Sequence, residues 1–215
     1  MKKKLLIALA CAAVMSAGMA VTAQAGTWSE SNGRWYYYND SGSMVYGQWV
    51  LDNGAYYYID YDGAMVVNQL IDDTYYVNER GVMITNSWRQ IQDDPWTAES
   101  HWFYFGSNGQ AYEDGWKTID GVRYHFSGRY MDTGWLEDEG NVYYLTPSGA
   151  MATGWQYIYS DRADDWSDQN WYYFSATGRM SRSREQSIGG ADYVFDEYGR
   201  MLTGWVDRER FTSSN

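Results

Sequence analysis

The sequence predicts an all-β fold, a β-hairpin solenoid, on three observations. A repeat of about 20 residues runs through most of the chain, which is typical of stacked repeat proteins. Each repeat contains a tight turn, a short aromatic segment with the composition of a strand, and a second turn with glycine. No apolar pattern with the 3.6-residue period of a helix occurs after residue 25. Because an isolated two-stranded hairpin is marginally stable, these units are expected to stack on one another.

The first 25 residues have the composition of an export signal. Lys2, Lys3 and Lys4 form a basic end, an apolar stretch follows, and Ala23-Gln24-Ala25 supplies small residues for cleavage. The sequence therefore predicts a cleaved signal peptide over residues 1–25 and a secreted mature chain. No later stretch reaches the about 20 apolar residues that a transmembrane helix needs, so no membrane insertion is expected.

Residues 26–215 are expected to form a single repeat array of about eight hairpins plus a truncated ninth. The residues that open the first strands are Trp28, Trp49, Leu70, Trp88, Trp116, Trp135, Trp155 and Arg184, and Trp205 opens the truncated unit. The fourth and seventh repeats are longer than the others by about nine residues. Their insertions carry acidic residues and a tryptophan each, Trp96 and Trp166.

Turn residues separate two short strands in each repeat. Asn32-Gly33, Asn53-Gly54 and Glu139-Gly140 are examples of hairpin tips at which glycine supplies a positive φ. The second strands are predicted over residues 35–38, 56–58, 75–77, 102–105, 143–145, 171–174 and 193–195.

Tryptophan pairs occur in the first, fourth and seventh hairpins. The opening tryptophan is expected to lie across from the first position of the second strand, so that two indoles share one face. The pairs are Trp28 with Trp35, Trp88 with Trp102, and Trp155 with Trp171; the other hairpins have Ala55, Thr74, Arg123, Val142 and Asp192 at the second position. This period of three repeats indicates a rotation of about a third of a turn between hairpins, which would place the pairs along one flank.

Charge and composition exclude several functions. The net charge of −12 becomes more negative once the three signal-peptide lysines leave, so nucleic acid is not an expected partner. The only cysteine, Cys11, leaves with the signal, and no disulfide is expected. His101 and His125 have no nucleophile or acid at a recognised catalytic spacing, and the acidic pairs at 93–94 and 164–165 lie in insertions. We therefore expect no enzymatic activity, no metal site and no cofactor.

The repeats resemble the cell-wall-binding repeats of the choline-binding module family of Gram-positive surface proteins and phage lysins. The matching segments include Gly47-Gln48-Trp49, Thr133-Gly134-Trp135, Trp171-Tyr172-Tyr173-Phe174 and Gly149-Ala150-Met151. The resemblance implies a left-handed superhelix with about three hairpins per turn. It also implies that choline of teichoic acid is caged between successive hairpins, by two tryptophans of one repeat and an aromatic residue of the next.

Carried onto this sequence, the resemblance implies three choline cages. They are Trp28 and Trp35 closed by Tyr57, Trp88 and Trp102 closed by Tyr124 or His125, and Trp155 and Trp171 closed by Tyr193. A quaternary ammonium cannot donate a hydrogen bond, so several rings are needed to hold it through cation–π attraction and burial of its methyl groups.

The repeats are also similar to those of glucan-binding domains and of the receptor-binding ends of clostridial toxins. That similarity implies glycan binding, with Trp96 and Trp166 as glycan contacts. The expected function is a non-catalytic, cell-wall-associated module that binds choline of teichoic acid, with a cell-wall or surface glycan as the alternative ligand. The open end at Trp205 is further expected to support a homodimer.

Overall fold

The computed structural model describes residues 26–93, 96, 98–159 and 169–204 of the 215-residue chain. These residues form antiparallel β-structure without any helix, and the described part therefore contains none that is long and apolar enough to cross a membrane. The predicted signal peptide, Trp166 and the ninth repeat from Trp205 lie outside the described residues. The chain forms two compact units, Met1–Glu113 and Asp114–Asn215.

Each unit contains four consecutive hairpins. In the first unit the paired strands are β1 (Thr27–Ser31) with β2 (Arg34–Tyr38), β3 (Gln48–Asp52) with β4 (Ala55–Ile59), β5 (Gln69–Ile71) with β6 (Tyr75–Val77), and β7 (Ser87–Ile91) with β8 (His101–Phe105). In the second unit they are β9 (Gly115–Ile119) with β10 (Val122–Ser127) and the short β11 (Tyr130–Met131), β12 (Gly134–Asp138) with β13 (Asn141–Leu145), β14 (Gly154–Tyr159) with β15 (Gln169–Phe174), and β16 (Arg184–Ile188) with β17 (Ala191–Phe195). The predicted all-β fold of repeated hairpins is confirmed, whereas the superhelical turn of the whole array stays a prediction.

The hairpin tips follow the chemistry of their two central residues. Asn32 and Gly33 have φ values of 52° and 76°, and Asn53 and Gly54 have 48° and 80°. A two-residue hairpin turn of type I′ needs a positive φ at both positions, which asparagine tolerates and glycine adopts freely. These tips fix the register of the strands on either side.

A backbone hydrogen bond joins each hairpin to the next within a unit. The residue after the second turn donates its N–H to a carbonyl near or just before the start of the second strand of the preceding hairpin. The pairs and their N···O distances are Met65 to Trp35 at 2.7 Å, Met83 to Tyr56 at 2.8 Å, Ala111 to Thr74 at 2.8 Å, Met151 to Arg123 at 2.8 Å, Met180 to Val142 at 2.9 Å and Met201 to Trp171 at 2.8 Å. The hairpins are thus stacked by main-chain atoms as well as by side chains.

Methionine side chains fill the space between successive second turns. A Cβ built on Gly81, which has a φ of 77°, would lie 2.6 Å from the sulfur of Met65 in the preceding hairpin. The same glycine–methionine contact recurs between Gly109 and Met83 and between Gly199 and Met180. Glycine is therefore required at these turns both by backbone conformation and by close packing, and the methionines act as filler between hairpins.

A residue at or next to the end of each second strand is fully buried from the second hairpin onward. These residues, all completely inaccessible to solvent, are Ile59, Val77, Phe105, Phe126, Leu145, Phe174 and Phe195. Aromatic residues fill more than half of these positions, so large rings take the place of the usual aliphatic core. In five of these hairpins a tryptophan of the first strand pairs with the residue directly before this buried position.

Candidate functional site

The paired indoles share a face, but their register differs from the expectation. Trp28 pairs with Tyr37, whereas Trp35 pairs with Glu30. The fourth and seventh hairpins have the same offset, since Trp102 pairs with Gln90 and Trp171 pairs with Tyr157. The expected directly opposite arrangement is therefore wrong. The two indoles of a pair lie one step apart along the same face, because residues two apart on a strand point to the same side.

The same register corrects one position of the second hairpin. Trp49 pairs with Tyr58, so Tyr56 and not Ala55 corresponds to Trp35. The hydrogen bond from Met83 to the Tyr56 carbonyl matches that from Met65 to the Trp35 carbonyl. The second hairpin thus has an aromatic residue, a tyrosine, at the position where an alanine was expected.

The structure places Trp28 and Tyr57 of the first expected cage in contact, with Trp35 on the same face as Trp28. The Trp28 ring lies 4.9 Å from Tyr37 of its own hairpin and 5.0 Å from Tyr57 of the next, both edge-to-face. Trp35, on the same face, is 42% exposed. The rings are therefore partly buried and partly accessible to solvent, as a ligand cage requires.

The third expected cage has the same arrangement in the second unit. The Trp155 ring lies 4.7 Å from Tyr193 of the next hairpin, 5.2 Å from Tyr173 and 6.3 Å from Trp171. Trp171 is 45% exposed, close to the value for Trp35. In both cages the opening tryptophan, Trp28 or Trp155, is half-buried, and the second tryptophan, Trp35 or Trp171, is partly exposed to solvent.

The residues of the second expected cage are divided between the two units. Trp88 packs edge-to-face on Tyr104 at 5.1 Å in the first unit, where Trp102 is also exposed on its surface. In the second unit, His125 pairs with Trp116 and its Nδ1 lies 2.6 Å from Oδ2 of Asp132. Tyr124 has the register that Tyr57 has in its hairpin. His125 is engaged within its own hairpin, and the closure of this cage stays a prediction.

A carboxylate at the edge of the first cage was missed by the sequence analysis. Nε1 of Trp28 donates to Oδ2 of Asp52 in the next hairpin at 3.1 Å. Burial, and secondly the charge of Asp52, raise the pKa of Tyr57 above its ordinary value. The cage therefore combines electron-rich ring faces with a neighbouring negative charge, which both favour a cation.

An equivalent carboxylate lies beside Trp116, but that junction already contains a cation. Nε1 of Trp116 donates to Oδ2 of Asp138 at 2.9 Å, and Tyr143 of the next hairpin packs on Trp116 at 4.9 Å. Arg123, at the position that Trp35 has in the first hairpin, holds its Cζ 4.6 Å from the centroid of the Trp116 ring. The guanidinium thus occupies the face on which a ligand cation would lie.

Two other opening tryptophans pack against rings of their own or the next hairpin. Trp49 is only 6% exposed and lies between Tyr58 and Tyr75, both at 5.3 Å. Trp135 packs on Tyr172 at 4.9 Å. These contacts stabilise the stack and leave little ring surface for a ligand around Trp49.

The remaining candidate residues lie outside the cages. Trp96 is 92% exposed in the insertion between β7 and β8, and Trp166 lies outside the described residues. His101 places Nδ1 3.1 Å from Oδ1 of Asp93. Within the described ranges, no group of three or more His, Cys, Asp or Glu side chains is arranged to hold a metal ion.

Two families of repeats match segments of the chain. The choline-binding repeat matches residues 25–70, and the cell wall binding repeat matches residues 97–111, 133–151 and 166–180. Repeats of this kind are binding modules of secreted and surface proteins.

Longer proteins contain regions similar to this chain. Glucosyltransferase-S of Streptococcus mutans is 29% identical over 184 residues, which are 83% of this chain and 12% of that protein. The structure of the autolysin LytC from Streptococcus pneumoniae, in complex with a synthetic peptidoglycan ligand, is 29% identical with a TM-score of 0.64, over 82% of this chain and 37% of that chain. The chain thus spans well under half of either protein.

A similar structure of comparable length is the choline-binding domain of CbpL from Streptococcus pneumoniae. It is 26% identical, with a TM-score of 0.56, over 84% of this chain and 87% of that chain. Its fold agrees with the repeated hairpins described above.

Proposed function

We propose that this chain, parts of which match choline-binding and cell wall binding repeats, is a non-catalytic module that attaches to the Gram-positive envelope by caging choline of teichoic acid. The observation that carries the proposal is the group of rings around Trp28. Tyr37 and Tyr57 flank this indole at 4.9 and 5.0 Å, and Trp35 stands half-exposed on the same face.

The chemistry of the cage suits a quaternary ammonium better than a primary one. Each ring contributes about 0.5–2 kcal/mol to a cation that it faces. The methyl groups of choline add apolar area that the rings remove from water, whereas a primary ammonium would lose hydrogen bonds to water that rings cannot replace. A single cage is expected to bind weakly, near a Kd of about 1 mM, which corresponds to about −4.1 kcal/mol.

Weak cages become effective on a polymer. The first and seventh hairpins carry equivalent groups around Trp28 and Trp155, and teichoic acid would present many cholines. Once one cage is occupied, binding at another becomes intramolecular, which raises avidity by about 10²–10⁴ when the geometry permits both. The proposal includes secretion and wall association through these contacts.

A choline titration tests the function. Choline should raise the melting temperature, because a ligand that binds only the folded state stabilises it. The protein should also be retained by a tertiary-amine resin and released from it by free choline. The neutral isostere 3,3-dimethylbutan-1-ol should give a much smaller shift. Trp35→Ala should weaken the response, and Trp96→Ala is the matched control, since Trp96 is 92% exposed and outside the cages. Equal shifts with choline and its neutral isostere, or no shift with either, would contradict caging of a cation.

Glycan binding is the second candidate function. The solved LytC complex contains a synthetic peptidoglycan ligand, and Trp96 offers a 92% exposed indole on which a sugar ring can stack. A glycan array and a Trp96→Ala variant test this candidate. Retention of all array signals by the variant would remove Trp96 from it.

Self-association through the ninth repeat is a separate part of the proposal. The repeat begins at Trp205, outside the described residues, and repeats of this kind stack on a neighbouring repeat, which a second copy of the chain can supply. Sedimentation of the chain with and without residues 205–215 tests it. A monomer in both cases at high concentration would exclude this route to a dimer.

A further inference from the structure

We propose that the junction between the third and fourth hairpins is a saccharide-binding pocket, separate from the choline cages. The pocket lies entirely within the first unit and has a volume of about 490 Å³. This volume falls in the range of about 300–1,000 Å³ that is usual for small-molecule sites. It does not depend on Trp28 or Trp155, so a failure of choline binding would leave this inference standing.

The pocket exists because the third hairpin lacks an opening tryptophan. Leu70 pairs with Tyr76 in the way that Trp28 pairs with Tyr37 and Trp49 with Tyr58. A leucine side chain is smaller than an indole, and both Leu70 and Tyr76 line the pocket. The space that an indole occupies at the preceding junction is therefore left partly open here.

The walls of the pocket are mostly polar. Their polar residues are Asn68, Gln69, Asp73, Tyr76, Arg89, Gln90, Gln92 and Asp93. The amides both donate and accept hydrogen bonds, the guanidinium donates, and the carboxylates accept. Sugar hydroxyls also donate and accept, so neighbouring hydroxyls can pair with such planar groups in a bidentate manner.

Charge argues for a neutral ligand. An anion near Arg89 would also meet the carboxylates Asp73 and Asp93, and a cation near these carboxylates would meet Arg89. The one ring in the wall, Tyr76, has Cζ of Arg89 5.0 Å from its centroid, so its face is already covered by a cation. The cage chemistry of Trp28 is therefore absent from this pocket, and a polyhydroxylated ligand fits its walls best.

The polar groups are held in position before any ligand binds. Tyr76 donates its hydroxyl to Oδ1 of Asn68 at 2.7 Å, and Nη2 of Arg89 donates to the same oxygen at 2.9 Å. Nε2 of Gln90 donates to Oγ of Ser100 at 2.8 Å. Such preorganisation lowers the entropy cost of binding. The network uses the oxygen of Asn68 and leaves the N–H donors of that amide outside these two bonds.

An aromatic residue follows the pocket wall in the chain. Asp93 lines the pocket, and Trp96, three residues later, is 92% exposed. Polar walls with an indole close in sequence are a suitable combination for a sugar, which has hydroxyl edges and apolar C–H faces.

Titration with two defined oligosaccharides tests the pocket. Tetra-N-acetylchitotetraose represents the glycan of peptidoglycan, and isomaltotetraose represents an α-glucan. We expect at least one of them to shift the backbone and side-chain amide NMR signals of Asn68, Gln90 and Gln92, while the indole signals of Trp28 and Trp155 stay in place. Absence of any shift with both sugars, or shifts confined to residues outside the pocket, would overturn the proposal.

Leu70→Trp is the decisive variant, because it introduces the indole that most of the other hairpins have at this position and fills the space. It is expected to weaken saccharide binding by at least about tenfold, or about 1.4 kcal/mol, and to leave choline binding unchanged. Gln92→Ala, on the polar wall, provides a second test with a smaller change in packing. If both variants keep the native fold and the full affinity for the sugar, the pocket is not the binding site. The reverse control is Trp35→Ala, which should lose choline affinity and keep the sugar.

Discussion

Replacing Arg123 with tryptophan is expected to create an additional choline site at the Trp116 junction. Arg123 now holds its guanidinium 4.6 Å from the centroid of the Trp116 ring, with Tyr143 on another side at 4.9 Å. Its side chain has the register of Trp35, whose indole is 42% exposed, so position 123 has room for an indole. The backbone carbonyl of residue 123, which accepts the N–H of Met151, is unaffected by the substitution.

The size of the effect follows from the cage geometry. The substitution removes an internal cation–π contact of about 0.5–2 kcal/mol and exposes the same ring face to the ligand. One added site should contribute about 1.4 kcal/mol when free choline is about ten times its Kd. In a chain of this length, that stabilisation corresponds to a rise of about 3–6 °C in melting temperature.

Isothermal titration with choline gives the number of sites directly. The Arg123→Trp protein should bind one more choline per chain than the wild type. Arg123→Ala is the control, since it removes the internal cation without adding an aromatic ring to the cage. This variant should bind choline at the new position weakly or not at all. An unchanged stoichiometry and an unchanged choline-dependent melting shift in a folded Arg123→Trp protein would refute the interpretation of Arg123 as an internal occupant of the cage.

Three further predictions concern charge, packing and pH. Asp52→Asn should lower choline affinity several-fold by titration calorimetry and leave the neutral isostere unaffected, because only the edge charge is lost. Gly81→Ala should reduce the urea-derived free energy of unfolding more than Gly33→Ala, since both have positive φ but a Cβ at Gly33 meets nothing within 4 Å. The side chain of Asp60 first, and then the N–H of Ala64 and the guanidinium of Arg34, lower the pKa of Asp62 to about 2, whereas burial and the bond with Asp62 raise the pKa of Asp60, so the contributions of Ala64 and Arg34 are the ones left uncompensated. The wild type should therefore lose stability as the pH falls from 4 towards 2, and Asp62→Asn should lose less; parallel losses would contradict this.

The hairpins were predictable because their signals are local. A two-residue turn with asparagine and glycine, such as Asn32-Gly33, and an alternating aromatic strand together determine a hairpin. The sharing of one face by Trp28 and Trp35 also follows from local alternation.

The register of the tryptophan pairs is encoded in the sequence of the first hairpin, where the turn provides the reference point. A two-residue turn at Asn32-Gly33 pairs Ser31 with Arg34, and counting outward from there pairs Trp28 with Tyr37. Counting from the start of the strand instead gives the directly opposite arrangement that the structure corrects. In the fourth and seventh hairpins the long insertions remove this reference point.

The carboxylates beside the rings were not predictable by the same reasoning. Asp52 and Asp138 each end the first strand of one hairpin and bond to an indole of the preceding one. That contact depends on how two hairpins stack, which local patterns do not define. The sequence shows that Arg123 replaces the second tryptophan of its hairpin. Its stacking on Trp116 could be inferred only with the correct strand register.

The backbone bond between hairpins has a consequence for how such a chain evolves. The carbonyls that accept it belong to Trp35, Tyr56, Thr74, Arg123, Val142 and Trp171, the same residues whose side chains form or replace the second wall of each cage. Because the acceptor is a main-chain atom, a mutation can change the side chain of that residue without removing the hydrogen bond between the hairpins. Ligand preference at each junction can therefore diversify, while selection for a cohesive stack acts on the glycines and methionines instead.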